Sequence, residues 1–297
     1  MGTILHSLFY SNNPNMAILR YLCLLTILFI SVILYKRFYI DSHKSEGFQL
    51  TGPYTLKQNE EIYDDFYANI YNTVRPSHNR IQYELTQICQ LTQPSQKYSV
   101  FLEIGSGTGA LVNELHNAGF YAYGIDRSQS MIDYSERLYE DIQVTCGSVD
   151  DSMAYESNTF THILCMDHTI YSFADKELLL KNAYFWLKYY GYLIMHLVDD
   201  LAIGKKVTES KGNGSKGNGS NISYQSSYQH MKNDHHLLFK ESFTDIHTNQ
   251  VRQHEHTLYV ESTESILAMA RNIGFDVYGL IDYNDLPGQH LYIMVKV

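Results

Sequence analysis

Glu103 stands just ahead of Gly105, Gly107 and Gly109, three glycines separated by single residues, and Asp126 follows 21 positions after Gly105. These types at this spacing suit the binding of a nucleoside. Glycine lets a tight turn bring backbone close to a ligand, and a carboxylate on the tip of the next strand accepts hydrogen bonds from ribose hydroxyls. A second set, Asp167, His168 and Tyr171, carries groups able to take or give a proton, whereas His196, inside the apolar run 193–198, reads as a hydrogen-bonded core histidine. The elements that must position both sets are legible as apolar runs. Residues 100–104 read as a buried strand opening into the glycine turn, residues 110–117 as a helix ended by Gly119, and residues 120–125 as the strand that delivers Asp126. Residues 160–166 form a further strand ending at Asp167, and 192–198 another ending at Asp199-Asp200.

Two cofactor classes share the glycine layout. Gly105-x-Gly107-x-x-Ala110 satisfies the dinucleotide fingerprint, which leaves an NAD-dependent oxidoreductase open. Glu103-x-Gly105-x-Gly107-x-Gly109, with Gly124-Ile125-Asp126-Arg127-Ser128 and Met131-Ile132 behind it, resembles the first two motifs of the class I S-adenosylmethionine (SAM)-dependent methyltransferases. That resemblance implies SAM as cofactor. It implies that the turn through Ser106 passes under the amino-acid part, that Glu103 orients the amino group, and that Asp126, flanked by Arg127, holds the ribose. Met131 belongs to the second motif. Ser148 occupies the place of the usual acidic residue near the adenine, with Val149, Asp150 and Asp151 beside it, and Cys165-Met166-Asp167-His168 occupies the strand tip that touches the methionine portion and the substrate. Thr161 departs from the common Phe-Asp-x-Ile pattern. The resemblance extends over about residues 60–297 and implies a Rossmann-like, seven-stranded, mostly parallel sheet with an antiparallel terminal strand. It also implies helices ahead of the glycine turn that close over the cofactor, and a small antiparallel lid insertion over the substrate; Tyr63, Tyr67 and Tyr71 on one of those helices read as core packing residues, with a lid role as the alternative.

The formal net charge is −10, and no Lys/Arg run exceeds a pair such as Lys36-Arg37, which argues against nucleic acid as a partner. Cys23, Cys89, Cys146 and Cys165 have no metal spacing. The histidines at 230, 235, 236, 247, 254 and 256 match no zinc pattern either, so no metal is expected, and His256 is the one singled out as a pocket residue.

At the amino terminus, a tail over 1–15 precedes an apolar stretch, 16–37, that reads as a transmembrane helix. Its uncharged core runs only from Tyr21 to Tyr35, so a span requires residues 16–19 and a snorkelling Arg20. Lys36, Arg37 and Lys44 beyond it place the catalytic domain in the cytosol of a single-pass membrane protein. A linker over 38–58 leads to the methyltransferase domain, 59–297, in which 205–260 holds a flexible loop and the lid strands. The loop contains a tandem Lys-Gly-Asn-Gly-Ser repeat, 211–220. The expected function is SAM-dependent methyl transfer to a small-molecule or lipid-like acceptor by a membrane-anchored enzyme. The alternatives are the NAD-dependent oxidoreductase and a non-catalytic binding module on the same fold.

Overall fold

A computed structural model describes residues 18, 22, 24–26, 28–31, 54–75, 78–199, 222–230, 236–283 and 288–297. The chain divides into two units, Met1–Gly47 and Phe48–Val297. In the first, the described residues are helical and exposed. No helix among the described residues is long and apolar enough to cross a membrane. This overturns the transmembrane anchor over 16–37, and with it the membrane, single-pass placement. A span needs about 20 apolar residues, and here Arg20 on one side and Lys36-Arg37 on the other bracket a shorter run. The linker as far as residue 53, Pro76-Ser77, Asp200, the 211–220 repeat, His235 and residues 284–287 lie outside the described residues.

The second unit is built on a seven-stranded sheet. Its strands are β2 (Val100–Ile104), β3 (Tyr121–Asp126), β4 (Gln143–Cys146), β5 (Phe160–Cys165), β6 (Leu187–Val198), β10 (Phe275–Asp282) and β11 (Gln289–Lys296). They lie in the order β10-β11-β6-β5-β2-β3-β4. β11 runs antiparallel to both β6 and β10, and the other pairs are parallel. Parallel strands are covered on both faces and therefore read as continuous apolar runs. Leu102, Ile163, Leu164, Leu193, Ile194 and Met195 are accordingly inaccessible to solvent. The covering helices are α1 (Asp65–Val74), α2 (His78–Thr92), α3 (Ala110–Asn117), α4 (Gln129–Leu138), α5 (Lys176–Trp186) and α6 (Thr263–Ile273). Side chains of Asp64, Ser128, Asp175 and Ser262 cap four of them by accepting from backbone N–H groups in the first turn.

Helix α5 stops at Trp186. The buried Lys296 on the last strand donates its ammonium to the carbonyls of Tyr184 and Leu187, both at 2.7 Å, satisfying the helix end. The chain then enters β6, where Leu187 pairs with Phe160 and the register shifts before Tyr192 meets His162, with Tyr190 left-handed at φ 61°.

A second, four-stranded sheet joins β1 (Tyr54–Gln58) to β7 (Ile222–His230), β8 (His236–Asp245) and β9 (Val251–Tyr259), in the order β1-β9-β8-β7. β7, β8 and β9 pair antiparallel within the segment 205–260 where lid strands are expected. β1 adds a parallel pairing to β9, so residues 54–58 are a strand and not the end of a linker. The buried Lys176 ties this sheet to the core: its ammonium donates to Phe173 O at 2.9 Å and to Tyr259 O at 2.7 Å.

Candidate active site

The glycine turn is shaped by what surrounds it. Gly105 and Gly109 adopt φ of +70° and +74°, and a Cβ on either would lie 2.6 Å from Thr169 Cγ2 or Ile142 Cδ1 respectively. No other residue type fits both conditions. Asp126 braces the turn: Oδ2 accepts from the Gly107 amide and Oδ1 from the Ser128 amide, each at 2.9 Å. Burial raises its carboxyl pKa, and those two amides work in the opposite direction. Each oxygen keeps a further lone pair for a ligand hydroxyl.

A cavity of about 880 Å³ opens beside this turn. Gly105, Gly107, Asp126, Arg127, Val149 and Asp150 line it. Thr169, Ser172 and Phe173 come from the segment after β5, and Tyr63, Tyr71, His256, Thr257 and Tyr259 from α1, the turn before it and the second sheet. Arg127 crosses one side, paired with Asp150 and, at 3.2 Å, with Glu60, its guanidinium 4.9 Å from the Phe173 ring centroid.

Of the residues expected around a cofactor, Gly105, Gly107, Asp126, Arg127 and Val149 line the cavity. Gly109 sits behind them as the N-cap of α3. Glu103 and Ser106 are buried beneath the turn, and neither Glu103 Oε2 nor Ser106 Oγ has a hydrogen-bond partner among the described residues. Burial, reinforced by Asp126, pushes the Glu103 carboxyl well above its usual range. Ser148 acts on Asp150 instead of facing the cavity, donating to its Oδ2 at 3.1 Å. Met131 packs in a core cluster with Phe66 and Tyr67. Cys165 is fully buried in the main core, its thiol pushed by burial up to about 12.

The structure brings none of Asp167, His168 and Tyr171 to the lining of this cavity. Asp167 and His168 occupy consecutive left-handed positions, φ 46° and 64°, at the tip of β5. They turn toward α2, where Arg80 Nη1 lies 3.7 Å from Asp167 Oδ1 and Nη2 lies 3.2 Å from His196 Nδ1. The His168 and His196 rings lie 4.1 Å apart, and burial lowers the His168 imidazole to about 4. Donor atoms of Asp167, His168 and His196 fall within 4.8 Å of one another, a set that could hold a metal ion. The Arg80 guanidinium already supplies positive charge there, and it is itself held by Glu84, 2.8 Å from its Nε. Tyr171 Oη accepts from the Val198 amide at 3.0 Å, which ties the segment after β5 to β6.

Sequence reasoning missed Thr169, Ser172 and Phe173. Their signal was their place just past a strand tip at the carboxyl edge of an open sheet, one turn beyond Asp167.

Comparison with known proteins decides between the two cofactor classes. Residues 102–195 match the family model of a methyltransferase domain. The chain carries a class I SAM-dependent methyltransferase domain. SAM is therefore its cofactor, and the dinucleotide reading of Gly105-x-Gly107-x-x-Ala110 falls away. No curated protein matches the chain in sequence. Among solved structures, a SAM-dependent methyltransferase from Clostridium acetobutylicum superposes with a TM-score of 0.63 at 15% identity, over 78% of this chain and 98% of that one. The CcbJ methyltransferase from Streptomyces caelestis gives 0.64 at 12% identity, over 79% and 98%. A SAM-bound amino pentose methyltransferase from Micromonospora echinaspora gives 0.56 at 14%, over 78% and 96%. At such identities the likeness establishes the fold alone.

Proposed function

We propose that this enzyme transfers the methyl group of SAM to a small polar molecule bound between the glycine turn and the second sheet. The observation that carries this reading is the continuity of one cavity from Gly105, Gly107 and Asp126 to Tyr63, Tyr71 and His256. The chain's residues fit the cofactor. The buried, unpartnered Glu103 Oε2 suits an ammonium group, the turn at Gly105 and Gly107 has room that a Cβ would take, and Asp126 retains lone pairs for ribose hydroxyls. Val149 and Asp150 stand at the adenine end, with Ser148 fixing the Asp150 carboxylate. When bound, SAM supplies a methyl group on a sulfonium, open to in-line attack. Alignment of the attacking atom is then the main task left to the protein. The volume of about 880 Å³ lies within the range of small-molecule sites and leaves room for both cofactor and acceptor. One structural neighbour acts on an amino pentose, which supports a small, polar acceptor over a lipid-like one.

The test is incubation with methyl-labelled SAM and a panel of amino sugars, phenols and aliphatic alcohols, with products identified by mass spectrometry. Label is expected on an amine or hydroxyl compound. A protein that binds SAM yet labels nothing in the panel above the rate without enzyme contradicts the small polar acceptor.

A further inference from the structure

We propose that His256, held by Tyr63, takes the proton from the acceptor during methyl transfer, so that the acceptor atom is a hydroxyl oxygen or an amine nitrogen. This rests on the methyltransferase reading above. His256 lies on β9 opposite Phe239 of β8 and lines the same cavity as Gly105, Gly107 and Asp126. Its Nδ1 is 3.2 Å from Tyr63 Oη, and the two rings meet edge to face at 5.8 Å. Nε2 has no protein partner among the described residues. Tyr63 is in turn fixed to the cofactor turn. Its carbonyl accepts from Ser128 Oγ at 2.5 Å, and the Ser128 amide donates to Asp126 Oδ1 at 2.9 Å. The imidazole is thus linked to the Asp126 carboxylate by way of Tyr63 and Ser128.

The charged groups acting on the ring are Arg75, at the end of α1, and Glu241, on β8. Burial lowers the imidazole to about 4, with Arg75 adding to the effect and Glu241 opposing it. Burial also raises the Tyr63 phenol, which stays protonated. A neutral phenol oxygen can accept from Nδ1–H, and that tautomer leaves the Nε2 lone pair free to act. The acceptor's lone pair forms the bond to the methyl carbon while the carbon–sulfur bond breaks, its electron pair staying on sulfur. The acceptor's proton passes to Nε2, and solvent then removes it from the imidazolium. One positive charge is lost at sulfur as one appears on the ring, so the net charge of the site does not change during the step.

The tautomer is directly measurable without knowing the acceptor. The full chain, labelled with ¹⁵N-histidine and titrated with S-adenosylhomocysteine, is examined by long-range ¹H–¹⁵N correlation at pH 7. The His256 signals are assigned by their loss in His256→Gln or, should that variant not fold, by their selective shift in Tyr63→Phe. The expected result is a protonated Nδ1 and an unprotonated Nε2, with Tyr63→Phe redistributing the two tautomers. A proton on Nε2 at pH 7, whether in the opposite tautomer or in the imidazolium, overturns the proposal. Failure of S-adenosylhomocysteine to saturate the wild-type protein would instead remove the methyltransferase reading on which it rests.

Discussion

Replacing Glu241 by Gln should destabilise the protein strongly, and in a manner that depends on pH. Glu241 is buried on β8 and accepts hydrogen bonds from Tyr67 Oη at 2.6 Å and Tyr224 Oη at 2.8 Å, while Arg75 Nη2 stands 3.5 Å away. Burial by itself would raise the carboxyl pKa, but the Arg75 guanidinium, His254 and the two phenols outweigh it and hold the group down from 4.5 to about 2. That difference is worth about 3 kcal/mol of folding free energy at neutral pH. The amide of Gln keeps one acceptor for a phenol and leaves the half-buried Arg75 guanidinium, which still donates to Tyr67 Oη, without its carboxylate. Because the folded-state pKa is depressed, the stabilisation is fully present above about 4.5 and is lost as pH falls toward about 2. Urea denaturation followed by the fluorescence of the single tryptophan, Trp186, should therefore show a gap of about 3 kcal/mol between wild type and Glu241→Gln at pH 7. That gap should narrow steadily below pH 4.5. A gap under about 1 kcal/mol at pH 7, or one that stays constant with pH, would refute the reasoning. The consequence reaches the site, because this network joins α1, which carries Tyr71, to the sheet that carries His256.

Three further outcomes follow from the same geometry. Gly109→Ala forces a side chain into a left-handed position 2.6 Å from Ile142 Cδ1 and should cost about 1–3 kcal/mol, read as a lowered melting temperature. Lys176→Met leaves the Phe173 and Tyr259 carbonyls without their donor; a loss of about 1–3 kcal/mol is expected, with faster hydrogen exchange at the end of β9 and unchanged exchange in β2. With an acceptor in hand, His256→Gln should lower kcat by about 100-fold or more while the Kd for SAM stays within about two-fold, since a positioned base contributes to the transition state and not to cofactor binding.

The parts of this molecule legible in its sequence are those fixed by local pattern. The glycine turn, the tip at Asp126 and the buried strands announced themselves by apolar runs and by residues that only one backbone conformation admits. Ser128 and Ser262 stand at helix starts that their side chains cap. What stayed hidden depends on distant partners. β1 has the sequence Tyr-Thr-Leu-Lys-Gln, with little to distinguish it from a polar linker until β9 supplies its hydrogen bonds. The end of α5 is written in Lys296, more than a hundred residues downstream. Asp167 and His168 carry the right chemistry at the right strand tip, but Asp167 pairs with Arg80 on α2 and His168 packs on His196, and nothing near them in the sequence reveals it. His256 was recognisable as a pocket residue, whereas its pairing with Tyr63 joins positions 193 residues apart.

Calorimetric titration of the full chain with SAM and with NAD, repeated on Asp126→Ala, tests the central claim most directly. Saturable binding of SAM, none of NAD, and a loss of about 10- to 100-fold in SAM affinity in the variant are predicted, as expected for removing charge-assisted hydrogen bonds to a ligand. Binding of NAD, or SAM affinity indifferent to Asp126, would contradict the account.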